Sequence, residues 1–213
     1  MSWVLFTILA TLMWALSNLI DKHILTKWVK NPILPVMIAG VIGLIVSFLI
    51  YLFRGYSELS LFNIFLSFIA GVTYFLILIF YFKALKIEEV SRVIPLFYFT
   101  PLFVLLFAVL FLEEVFTPLN YLGIFLLITG AILISSKKFG ISFGKAFWLI
   151  VLADILIAIN QILTKYLLNF ADFWTIFSYT RIGSVLVLIP IFYFSFPELV
   201  RTVKRHGNKV IGV

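Results

Sequence analysis

The chain is 213 residues long, 64% hydrophobic and 12% charged, with a mean hydropathy of +1.21, a composition from which no water-facing surface can be assembled. Its net charge of +7 rests on basic residues in short connections between apolar runs, which argues for membrane topology and lipid headgroups and against a nucleic-acid interface. There is no cysteine, so disulfides and thiolate metal sites are excluded.

Lipid must then be the solvent, and in a bilayer every backbone polar group has to be satisfied internally. Apolar runs of about twenty residues fit helices crossing a core of roughly 30 Å. A barrel needs short alternating segments, whereas Val90 to Leu112 is apolar on consecutive positions. The expected fold is therefore all-α and polytopic, with about seven transmembrane helices.

The first span, Trp3–Leu25, has no basic leader or small-residue cleavage site and should remain as an anchor. At about 100° per residue, Trp14, Ser17, Asn18, Asp21 and Lys22 form one polar stripe, which should face protein. Asn18 offers hydrogen bonds and Asp21 a cation or proton site, although Asp21 and Lys22 also lie where a boundary residue reaches the interface. Spans at Pro32–Phe53 and Leu61–Leu85 follow. In the fourth, Val90–Leu112, Pro95 and Pro101 bracket Tyr98; each proline deletes a backbone hydrogen bond, favouring a bend toward a cavity into which Tyr98 could present its hydroxyl. Packing is the competing reading for Tyr98 in a chain 18% aromatic. The fifth span, Pro118–Ile134, starts on a proline whose missing N–H costs nothing there, with Thr117 as its cap. Gly123 and Gly130, with Ala131, should let this helix approach a neighbour closely.

The sixth span, Phe147–Leu168, places Asp154, Ala158, Gln161 and Lys165 on one face. Asp154 lies ~10 Å into its helix, a depth that calls for a cavity or an ion pair, while Lys165 can snorkel from the helix end. In the seventh, Phe173–Phe196, Arg181 lies ~12 Å deep. It calls for a carboxylate, with Asp154 as the candidate partner, or for a substrate anion.

Of the 16 basic residues, Lys27, Lys30, Lys83, Lys86, Arg92, Lys137, Lys138, Lys145, Arg201, Lys204, Arg205 and Lys209 follow odd-numbered spans. By the positive-inside rule the amino terminus is then outside the cell membrane, expected to be that of a prokaryote. An offset of 143 residues carries Lys22 onto Lys165 and lays Ala15–Leu25 over Ala158–Leu168; an offset of 140 carries Gly43 onto Gly183 and Glu58-Leu59 onto Glu198-Leu199. Helices six and seven thus read as copies of helices one and two. A period of five spans makes the copies cross the membrane in opposite directions. The expected units are residues 1–138 and an incomplete inverted copy at 144–213, so the chain reads as a truncated form of a 5+5 repeat, with Asn208–Val213 opening another helix.

Ala84-Leu85, Ser91, Pro95, Pro101, Glu114, Thr117, Gly123 and Gly130 stand in the order of a known pattern, and the stretch from Ala84 to Ile134 resembles the EamA domain of the drug/metabolite transporter superfamily. Glu113 stands where that pattern has glycine. The resemblance implies ten helices in two inverted halves, a central cavity carrying small metabolites, a role for Glu114 at the turn between the fourth and fifth helices, and a cytoplasmic amino terminus, contrary to the charge bias. The expected function is secondary transport of a small molecule by alternating access, driven by protons or a counter-substrate, with the bilayer as surrounding and no cofactor, catalytic residue or metal. No phosphate-binding loop of an ATP-driven pump is present. The alternatives are a membrane-embedded enzyme, disfavoured because His23 and His206 fall outside any metal-binding spacing, or a receptor or assembly subunit.

Overall fold

A computed structural model describes residues 2–29, 31–135 and 144–210. Lys30, Lys137 and Lys138 of the charge bias, the expected unit boundaries at 138 and 144 in part, and the last three residues of the Asn208–Val213 stretch lie outside the described residues. The helices in chain order are α1 (Ser2–Lys27), α2 (Ile33–Arg54), α3 (Leu61–Ile87), α4 (Val90–Leu96), α5 (Thr100–Leu112), α6 (Pro118–Ser135), α7 (Lys145–Leu167), α8 (Phe173–Gly183) and α9 (Val185–Val210). Among the described residues, six helical segments are long and apolar enough to cross a membrane. The seventh apolar stretch, Pro118–Ile134, is a shorter helix.

The fourth span is broken where its prolines predict. A 3-10 turn, Phe97–Phe99, separates α4 from α5, because Pro95 and Pro101 each remove an N–H from the i to i−4 ladder. The last span departs from expectation at both levels. It is divided at Ser184, whose hydroxyl donates back to the Arg181 carbonyl (2.5 Å), and it continues to Val210 instead of ending at Phe196. Pro197 lies inside the helix, and the Glu198 carboxylate accepts from Asn31 Nδ2 (2.7 Å), which ties this length of α9 to the start of α2.

Local chemistry sets the helix starts. Ser60 accepts from the Asn63 N–H before α3. Asp172 accepts from the Trp174 and Thr175 N–H groups before α8, and its carboxyl is held below the usual range chiefly by the Thr175 hydroxyl. At α6 the roles are reversed from expectation: Asn120 Oδ1 accepts from both the N–H (3.0 Å) and the hydroxyl (2.5 Å) of Thr117, as a side chain at the third position does in a capping box.

At the other end of α5, Glu113 takes the left-handed conformation at φ 54°, and both its N–H and that of Glu114 return to the Ala108 carbonyl. The turn made by glycine in the resembling pattern is therefore made here by a residue with a Cβ. Glu113→Gly is expected to stabilise the protein by roughly 1 kcal/mol, read as a higher melting temperature in detergent; an unchanged or lower value would show that the left-handed turn carries no strain.

Helix α3 is the centre of the molecule, lying against α7 and α8, while α5 packs on α7, α2 on α8 and α4 on α6. Phe75, Phe82, Leu85, Val93 and Ile150 belong to one buried cluster joining α3, α4 and α7. Asn160 of α7 fastens this contact by donating to the Ala70 carbonyl (2.6 Å) and to Thr73 Oγ1 (3.0 Å) of α3. The backbones of α3 and α8 meet at Gly71 and Gly183, where a Cβ on Gly71 would lie 2.2 Å from the Thr180 carbonyl oxygen. By contrast, Gly123 and Gly130 face open space among the described residues, which corrects the expectation of a close helix approach there: α6 meets the α4 region with other positions.

Candidate functional site

The polar stripe of α1 borders an open cavity of about 870 Å³ lined by α1, α2, α3, the broken fourth span and α7. Trp14, Ser17, Asn18 and Asp21 line it from α1, Tyr74 and Tyr81 from α3, Tyr98, Thr100 and Pro101 from the broken span, and Gln161 from α7. The remaining wall is apolar, including Ile77, Leu78 and Phe97. A mostly apolar chamber with a few convergent polar groups has the size and chemistry of a small-molecule site. The helix break matters directly, since Phe97 and Tyr98 of its 3-10 turn and Thr100 and Pro101 at the start of α5 form part of the wall.

Four sequence candidates therefore meet in one place: Asn18, Asp21, Tyr98 and Gln161. Asn18 is only 4% exposed, whereas Trp14 on the same helix is 54% exposed. Tyr81 joins Asn18 to Asp21: its hydroxyl lies 2.7 Å from Asn18 Oδ1 and 2.9 Å from Asp21 Oδ2. One hydroxyl proton thus serves two acceptors, and the pair is held on the α3 side of the chamber.

Asp154 sits behind the wall, fully buried, with Oδ1 accepting from Thr100 Oγ1 (2.5 Å). Its other oxygen, Oδ2, has no hydrogen-bond partner among the described residues. The expected ion pair with Arg181 is not made. Arg181 instead lays its guanidinium over the Tyr74 ring at 3.8 Å and the Phe177 ring at 4.7 Å. Helix spacing placed both residues deep in their spans; their partners depend on which faces dock, and Asp154 meets α5 while Arg181 meets α2 and α3.

Two lysines expected to reach the interface have fixed partners. Lys22 Nζ donates to the carbonyls of Leu85 and Glu88 at 2.8 Å each, and Lys165 pairs with Glu114. Glu114 consequently fastens the α5 terminus to α7, a role beyond its own turn. Among the described residues no three His, Asp or Glu side chains converge as a metal site requires.

Sequence reasoning passed over Tyr81, Thr100 and Asn160. Thr100 precedes Pro101 inside the flagged segment, and Asn160 adjoins Gln161, so both carried a signal. Tyr81 carried none, being one of nine tyrosines among 25 phenylalanines.

A model of the EamA-like transporter family matches residues 1–136. No curated protein matches the chain. The matched region contains the α1 stripe, Tyr81 and the proline-broken span that form most of the cavity wall, and it covers more than half of the sequence. The protein is an integral membrane protein belonging to the EamA-like transporter family.

Proposed function

We propose that the protein carries a small metabolite across the membrane by alternating access, with the α1–α3–α7 cavity as its binding chamber. The observation that carries this reading is the convergence of Asn18, Asp21, Tyr98 and Gln161 on one largely apolar space of about 870 Å³ between α1, α3, the broken span and α7. Asn18 and Gln161 supply hydrogen bonds to the substrate, Tyr98 a hydroxyl at the helix break, and Asp21 a carboxylate that takes a cation or proton. Asp154, one side chain behind the wall, is coupled to the chamber through Thr100. Protons or a counter-substrate drive the cycle. Residues 1–138 and 144–213 are read as inverted units, so α1 and α7 face the pathway as related helices.

Uptake of a panel of labelled small metabolites into proteoliposomes holding the purified chain tests the proposal. Asn18→Ala and Gln161→Ala are each expected to lower uptake about tenfold, the effect of removing a hydrogen bond worth about 1.4 kcal/mol to bound substrate. Wild-type uptake in both variants, or no metabolite moved by the parent protein, would refute it.

A further inference from the structure

Resting on the transport reading above, we propose that the chamber extends into an oxyanion subsite built by Arg181 and Ser178, and that the substrate carries a carboxylate or phosphate group. Arg181 lies within the membrane span Phe173–Thr202. Among the described residues its guanidinium makes no ion pair, and its buried Nε has no hydrogen-bond partner. The contacts it does make are with the faces of Tyr74 and Phe177, which hold the plane of the cation without using its N–H donors.

Ser178 stands one turn earlier on α8, fully buried, and its hydroxyl is also without a partner among the described residues. Residues three apart on a helix share a face, so two unused donor groups stand together. The opposing face of α2 packs directly on the arginine stem, with glycine at the point of contact. A Cβ on Gly43 would lie 3.0 Å from Arg181 Cδ, and Ser47, four residues on, donates to the Ser178 carbonyl (3.3 Å). Ala39, four residues before Gly43, lines the main cavity, as does Tyr74, on whose ring the guanidinium rests. Tyr74 is thus shared between the chamber wall and the seat of the guanidinium, and it is this ring that joins the proposed subsite to the chamber.

A guanidinium is charged at every working pH and presents a planar fork of donors. At membrane depth an uncompensated cation is costly, and no acid side chain in the described residues offsets this one. The group that fits is a planar or tetrahedral oxyanion accepting two parallel N–H bonds, with the serine hydroxyl as a third donor.

The test is thermal unfolding of the full chain in an uncharged detergent, with sodium acetate, inorganic phosphate or phosphatidylglycerol compared against sodium chloride at equal ionic strength. Acetate or phosphate is expected to raise the melting temperature by about 2–4 °C at several times its dissociation constant. Arg181→Gln should abolish that rise. Where Arg181→Gln does not fold, Ser178→Ala, which removes no side-chain hydrogen bond present in the structure, should fold and reduce the rise. No rise with either soluble anion, a rise undiminished in these variants, or a rise with phosphatidylglycerol alone overturns the proposal. Because binding is read without transport, failure here leaves the uptake experiment to decide the chamber reading independently.

Discussion

Substituting alanine at Gly71 is expected to separate α3 from α8 and to destabilise the protein by about 3 kcal/mol or more, at the upper end of what overpacking costs. The added methyl would lie 2.2 Å from the Thr180 carbonyl oxygen, 2.6 Å from the Ser184 nitrogen and 2.9 Å from the Gly183 carbonyl carbon. All three are backbone atoms, so no rotamer change relieves the clash, and the helices themselves must move. The contact is reciprocal: a Cβ at Gly183 would approach the Phe68 Cα to 2.4 Å. In a bilayer, helices gain little from hiding apolar surface from lipid, and close backbone packing through small residues is a principal source of their association. Gly183→Ala should therefore match Gly71→Ala in effect, and the double substitution should cost less than the sum, since the first already parts the helices. Unfolding by a denaturing detergent measures all three. Wild-type stability in Gly71→Ala would show that the two backbones do not meet. Gly123→Ala makes a suitable control, because its site is open.

A second large effect is expected at Lys22 and Lys86, which tie the ends of α1 and α3 to each other. Lys22, on α1, donates to Leu85 and Glu88 carbonyls at the end of α3; Lys86, on α3, donates to the Leu25 (2.8 Å) and Val29 (3.3 Å) carbonyls at the end of α1. The last carbonyls of a helix have no partner within it, and the partial negative charge there favours a cation. Each lysine thus satisfies acceptors that its own helix cannot. Lys22→Met is expected to cost about 2 kcal/mol, in the range of hydrogen bonds to charged groups. Lys86→Met should cost less, because its side chain is more exposed. A double-mutant cycle should show coupling of about 1 kcal/mol, since losing one tie loosens the geometry of the other. Additivity within error would mean that the two ties act separately. Helix α1 is otherwise the most lightly packed of the six long spans, only 6% buried, so these bonds also hold the Asn18–Asp21 wall of the chamber in place.

Of the residues in these predictions, sequence reasoning saw Gly183, Lys22 and Lys86 and assigned them otherwise, and it passed over Gly71. Gly123 and Gly130 have the spacing of a helix-contact face, whereas Gly71 stands alone in α3 and Gly183 served only to align the repeat. Close approach is a property of two backbones, and one helix's glycine spacing does not reveal whether a partner is there. Lys22 lies near a helix end, where snorkelling is always available; its partners are 63 and 66 residues away. Arg181 was singled out for its place within the seventh span, but of the two rings under its guanidinium only Phe177 is local, and Tyr74 lies more than a hundred residues earlier.

What the sequence by itself determined was the helical class, the placing of the apolar segments, the break in the fourth span and the polar stripe that borders the cavity. Those features follow from local rules: lipid forces the backbone to bond within each segment, proline deletes a fixed hydrogen bond, and helical periodicity gathers polar residues on one face. Only the tertiary structure decided which charges have partners, which glycines touch and how Asp154 and Arg181 come to lie against different helices. Those outcomes depend on the docking of faces distant in sequence, where one backbone contact or one ring under a guanidinium selects among arrangements that local periodicity leaves equal.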